Sequence, residues 1–132
     1  MNMKNFVLAG IAGGITDFLL GWVLYGIVFY DFFGGGEPNM AMITGGCFSF
    51  GFLMSYILVG LAGITSFAKG ARAGVGIGIL TGLMSNFFMR GMEAEPNWQQ
   101  FGVDLIICVI IGALVGGVVG AVNGKLSKTS EA

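Results

Sequence analysis

The sequence predicts an all-α integral membrane protein, an antiparallel four-helix transmembrane bundle that forms one domain over residues 1–132. Apolar residues make up 55% of the positions and charged residues 10%, against about 25% charged residues in soluble domains. The apolar residues also form four long runs separated by short polar connectors. Each run approaches the roughly 20 residues that a helix needs to cross a bilayer. None alternates with polar residues as barrel strands do.

The four runs place the spans at about 5–29, 42–67, 73–90 and 101–124. The connectors are then 30–41, 68–72 and 91–100, and connectors this short require neighbouring helices to be antiparallel. Five basic residues fall on one side of this topology and only Arg90 on the other. Because basic loops stay in the cytoplasm, both termini are expected there, in a bacterial cytoplasmic membrane. The five residues are Lys4, Lys69, Arg72, Lys125 and Lys128.

A Glu-Pro-Asn tripeptide precedes both the second and the fourth span, at 37–39 and 95–97. Proline is common in the first turn of a helix, because backbone N–H groups there have no acceptor within the helix and the missing N–H of proline therefore removes no hydrogen bond. The chain is therefore either two tandem helical hairpins, near 1–67 and 68–132, or a chance match of two helix starts. Tandem repeats occur in some transporters but do not establish transport.

Glycine spacing is the most specific pattern in the chain. Residues four apart lie on one helix face, and a face of small residues lets two helices approach closely in lipid. We expect helix packing through Gly10 and Gly14 in the first span, Gly70, Gly74, Gly78 and Gly82 in the third, and Gly112, Gly116, Gly120 and Gly124 in the fourth. The long rows fall in the cytoplasmic half and bulky aromatics in the outer half. The aromatics either line an outward-facing cleft or face lipid.

Asp17 lies near the middle of the first span, on the same face as Gly10 and Gly14. A charge at the bilayer centre costs about 2.5–3.5 kcal/mol, so Asp17 is expected to face the bundle interior, a wet cavity or another subunit. It is either a binding or coupling residue or a structural hydrogen-bonding residue. The other candidates for a binding path are Trp22, Tyr25, Ser55, Tyr56 and Thr81.

A second polar cluster is predicted at the outer end, from Asp104, Arg90 and Asn86. Near the start of the fourth span, Asp104 favours the helix dipole and is placed to pair with Arg90. Elsewhere the chain has no histidine, no nucleophile–base pair and no metal-ligand spacing. We therefore expect no enzyme, no metal and no cofactor. Cys47 and Cys108 are interpreted as small residues inside helices.

Around residues 20–33 (LGWVLYGIVFYDFF) the chain resembles a family of small bacterial four-span proteins of unknown function. Asp104 and the glycine row at 112–124 resemble the aspartate and small residues of that family's last span. The resemblance implies a four-span fold over most of the chain and no particular activity. A weaker analogy is to small multidrug resistance transporters, which are similar in length and carry an acid in the first span, as Asp17 does here.

Two functions follow as expectations. The first is a packing or assembly protein, a homo-oligomer or an accessory subunit of a larger membrane complex, that associates through the glycine-rich faces. The alternative is a small proton- or cation-coupled transporter or channel that uses Asp17. The expected surroundings are the lipid bilayer, and nucleic-acid binding is not expected at a net charge of −1.

Overall fold

The computed structural model describes residues 3–28, 40–92, 94–95 and 97–131, and every regular element there is helical. Helix α1 is Met3–Val23 and continues as a π-helical segment, Leu24–Val28. Helix α2 is Met40–Ser55 and continues as the π-helical segment Tyr56–Leu61. Helices α3 and α4 are Phe67–Gly91 and Trp98–Glu131.

Three stretches of the described chain are long and apolar enough to cross a membrane: Met3–Ile27, Met40–Leu61 and Trp98–Lys128. They correspond to α1, α2 and α4 with their π-helical extensions. An all-helical, multi-pass membrane protein is therefore what the structure supports. Helix α3 is not among these stretches.

The connector between α2 and α3 lies at residues 62–66, and the predicted connector at 68–72 was wrong. Gly63 has a φ of +62°, a conformation that glycine adopts without the steric penalty of a Cβ atom. Ser66 is extended, and its side chain accepts a hydrogen bond from the Lys69 backbone N–H at 3.3 Å. This serine cap starts α3 at Phe67. Lys69 and Arg72 are exposed residues in the first turns of α3.

Helix α4 begins earlier and ends later than the predicted 101–124. The Asn97 side chain accepts hydrogen bonds from the backbone N–H groups of Gln99 and Gln100, each at 3.1 Å. Asparagine is among the preferred N-caps because it satisfies amide groups that have no partner within the helix. The matching tripeptide at 37–39 and most of the predicted connector at 30–41 lie outside the described residues.

Helix α4 is the centre of the assembly. It packs against both α1 and α3. Helix α2 packs chiefly against α1, and helix α3 packs almost entirely against α4. Along the α3–α4 contact the residue numbers run in opposite directions: Gly70 adjoins Gly116, and Gly82 adjoins Cys108. The buried apolar core lies between α1, α2 and α4 and consists of Ala9, Met54, Leu58, Val59, Ile107, Ile111, Val115 and Val119.

The glycine rows of α3 and α4 face each other with their backbones in contact. A Cβ atom placed on Gly112 would lie 2.9 Å from the Cα of Gly78, and one on Gly116 would lie 2.9 Å from the Cα of Gly74. Both distances are shorter than ordinary van der Waals contact. In α1, by contrast, Gly10 and Gly14 are covered by phenylalanine rings of α2. All ten glycines predicted to pack contact other parts of the same chain.

A buried amide network ties together the end of the molecule that holds the start of α1. The Asn5 amide Nδ2 donates to Asn123 Oδ1 at 3.0 Å and to Ser127 Oγ at 3.3 Å. Asn123 Nδ2 donates to the Ile64 carbonyl oxygen at 2.8 Å. The network joins α1, α4 and the α2–α3 connector.

Candidate functional site

A cavity of about 210 Å³ lies within the helical assembly. Its lining comes from every helix: α1 with its π-helical extension, α2, α3 and α4. The lining residues are Asp17, Tyr25, Phe50, Thr81, Ser85, Cys108 and Ile111. None of these seven is basic, so the carboxyl group of Asp17 carries the formal charge of the lining.

Asp17 is half-buried on α1, as expected for an acid that faces the interior. The Cys47 thiol of α2 lies close enough to this carboxyl group to interact with it electrostatically. A thiol is a weak donor, and a carboxylate has about four acceptor positions. Most of the hydrogen-bonding capacity of Asp17 is therefore available to a molecule in the cavity.

Asp104 lies close to the cavity but has a different environment, because both of its oxygens accept from strong donors. The Tyr25 hydroxyl donates to Oδ1. The Asn86 amide Nδ2 donates to Oδ2 at 2.6 Å and also to the Gly82 carbonyl oxygen at 2.8 Å. The carboxyl group of Asp104 thus holds the α1 extension, α3 and α4 together.

The position of Asp104 differs from the expected helix start. Helix α4 begins at Trp98, so Asp104 is in its second turn, and the effect of the helix dipole falls off within the first turn. Of the predicted outer cluster, Asn86 and Asp104 are in contact. Arg90 is buried on the same face of α3, four residues after Asn86.

The hydroxyl groups of Thr81 and Tyr25 use their protons within the protein. Thr81 Oγ1 donates to the Ile77 carbonyl oxygen at 2.8 Å, and the Tyr25 hydroxyl donates to Asp104. The Thr81 oxygen then offers lone pairs rather than a proton to a molecule in the cavity. Together with the carboxyl group of Asp17 it gives the lining two groups that accept hydrogen bonds.

Three residues predicted for the binding path lie elsewhere. Ser55 is buried, but its hydroxyl donates to the Phe6 carbonyl oxygen at 2.7 Å, which joins α2 to α1. The side chains of Trp22 and Tyr56 are 59% and 48% exposed and lie on the surface of the helical assembly. Of the predicted aromatic cleft, Tyr25 and Phe50 line the cavity, whereas Phe87 and Phe88 are exposed.

Cys47 and Cys108 belong to the site, although the sequence predicted them only to be small residues inside helices. Cys47 lies close to Asp17, and Cys108 lines the cavity close to Tyr25. One signal was available for Cys108: it lies four residues after Asp104 and four before Gly112, which places all three on one face of α4. No comparable spacing marks Cys47.

No family model, curated protein or solved structure matches this chain. The resemblance to the four-span family of unknown function and the analogy to small multidrug resistance transporters stay predictions.

Proposed function

We propose that this protein is a small carrier or channel of the bacterial cytoplasmic membrane that binds a small monovalent cation through Asp17. The proposed architecture is an antiparallel bundle of four transmembrane helices in which α3 also spans the bilayer. The opposite chain directions of α3 and α4 along their contact support the antiparallel arrangement.

The distribution of basic residues supports a topology with both termini in the cytoplasm. The amide network brings the start of α1, the last part of α4 and the α2–α3 connector to one end. Lys4, Lys69 and Lys125 lie close to these segments and are exposed. Cytoplasmic loops of membrane proteins carry such an excess of basic residues.

The observation that carries the proposal is an interior acid at a cavity whose lining contains no basic residue. Ionisable residues within membrane spans are expensive and are commonly part of ion or substrate paths. The lining has no basic residue to balance the negative charge of Asp17, and a cation in the cavity would balance it. Asp104 is a second acid near the cavity, and its oxygens are held by Tyr25 and Asn86.

A role in assembly has less support than the sequence indicated. It depended on glycine-rich faces that are free to bind a partner. In the structure the glycines of α3 and α4 contact each other across distances that leave no room for a methyl group. These faces are therefore occupied within one chain.

The test is cation flux into proteoliposomes that contain the purified protein, with the uptake of Na⁺, the uptake of a small ammonium ion and the internal pH all followed. We expect Asp17→Asn to reduce flux at least tenfold, because the amide removes the charge while keeping the shape. Glu95→Gln is the matched control, since it removes an exposed acid outside the cavity. Native flux equal to that of empty vesicles, or full flux in Asp17→Asn, would overturn the proposal. An altered oligomeric state without flux would favour assembly.

A further inference from the structure

We infer that the cation bound in this cavity is a small primary alkylammonium ion, an inference that rests on the proposed function. Asp17 presents its carboxyl oxygens to the cavity, and Thr81 presents a hydroxyl oxygen whose own proton is donated to the Ile77 carbonyl oxygen. A ligand that matches such a lining has to bring both positive charge and hydrogen-bond donors. An ammonium group, with its N–H donors and no acceptor, has this chemistry.

The rest of the lining suits an alkyl chain. Phe50 and Ile111 contribute apolar surface, and Ile111 is part of the buried core. The aromatic faces of Phe50 and Tyr25 also attract a cation that lies over them. A volume of about 210 Å³ has room for roughly seven groups the size of a water molecule, at about 30 Å³ each. A butylammonium ion is smaller than this.

The ligand set is unlike that of a hard metal ion. Such ions take six or more oxygen ligands in proteins, with carboxylates prominent among them. Within the described ranges, no three His, Cys, Asp or Glu side chains are grouped so that they could hold a metal. Three of the seven lining residues, Tyr25, Phe50 and Ile111, are apolar or aromatic, which favours an organic cation over a bare one.

The cavity hydroxyls allow a specific test, because the chain contains two threonines with the same local bond. Thr81 Oγ1 bonds to the carbonyl oxygen four residues earlier at 2.8 Å, and Thr16 Oγ1 bonds to that of Ala12 at 2.8 Å. Thr81 lines the cavity, whereas Thr16 is not part of its lining. Replacing either with valine removes one hydroxyl and its bond to the carbonyl oxygen four residues earlier, and at Thr81 also a longer contact of 3.4 Å with the Gly78 carbonyl oxygen. Only Thr81→Val removes an acceptor from the cavity.

Binding would be measured by equilibrium dialysis of radiolabelled butylammonium against the full chain in lipid nanodiscs, with size-exclusion profiles as the check on folding. We expect saturable binding that weakens at least tenfold in Asp17→Asn and in Thr81→Val and stays within twofold in Thr16→Val. Tetramethylammonium, which has charge but no N–H, and butanol, which has no charge, should both compete at least tenfold more weakly than unlabelled butylammonium.

Tetramethylammonium competing as well as butylammonium, or equal binding by Thr81→Val and Thr16→Val, would overturn the inference. Asp17-dependent flux of Na⁺ or protons without butylammonium binding would overturn the inference and leave the proposed function intact. Failure to bind or move any cation would overturn both.

Discussion

Replacing Gly74 with alanine tests whether backbone contact between α3 and α4 holds the structure together. An added methyl carbon would lie 2.8 Å from the carbonyl carbon of Gly112 and 3.2 Å from the Cα of Gly116. The carbonyl oxygen of Gly112 would lie closer still, and because ordinary van der Waals contact begins at 3.4 Å the helices would have to separate by about an ångström or more. The opposing atoms are backbone, which cannot rotate away as a side chain can.

Overpacking of this kind costs about 1–3 kcal/mol, and alanine regains about 0.5–1 kcal/mol through its better helix propensity. We therefore expect Gly74→Ala to lower the free energy of unfolding by about 1–2 kcal/mol. Gly76→Ala is the control, because Gly76 lies on the same helix with no atom within 4 Å of the added carbon. That variant should be as stable as the native protein or more stable.

The assay is thermal unfolding of the purified protein in detergent micelles, followed by circular dichroism. A loss of 1–2 kcal/mol lowers the midpoint by several degrees in a chain of roughly this length. The reasoning is refuted if the midpoint of Gly74→Ala equals or exceeds that of Gly76→Ala.

Three further predictions use the same unfolding assay. Met54→Ala should cost about 2–5 kcal/mol, because Met54 is fully buried, whereas the exposed Met84→Ala should cost little; equal midpoints would contradict this. Asn123→Ala should cost about 1–3 kcal/mol because it removes both of its bonds in the amide network, and Ser127→Ala should cost less; the reverse order would be contrary evidence. Tyr25→Phe should cost about 1.5–3 kcal/mol by removing a hydrogen bond to a carboxylate, and an unchanged midpoint would show that this bond does not stabilise the fold.

The existence of the helices was predictable, because a long apolar run in a membrane has few alternatives to a helix. The positions of the helix ends were less predictable. Lys69 and Arg72 were placed in the predicted connector at 68–72, whereas both lie in α3, which begins after the cap at Ser66. Charge reports how close a residue is to water and does not report whether the backbone is helical. The prediction failed where these two properties differ.

Parts of the site depended on tertiary contacts that no local pattern encodes. Asp17 was identified because an acid near the middle of an apolar span is costly, and Tyr25 and Thr81, named as further candidates, also line the cavity. Cys47 is part of the site only because α2 packs against α1 at the level of Asp17. Ser55, chosen for its depth, faces α1 and bonds to a backbone carbonyl group instead. Depth is predictable from a sequence, whereas the direction in which a side chain points depends on the neighbouring helix.

The near-exclusive packing of α3 on α4 has a consequence for how the protein enters its membrane. Helix α3 is less apolar than the other spans of the proposed topology and carries Lys69, Arg72 and Arg90. Its glycine face gains close contact only when α4 is beside it. We therefore expect α3 to leave the translocation machinery together with α4, as one hairpin. In that hairpin α4 provides the close contact with the glycine face of α3 that lipid alone does not provide.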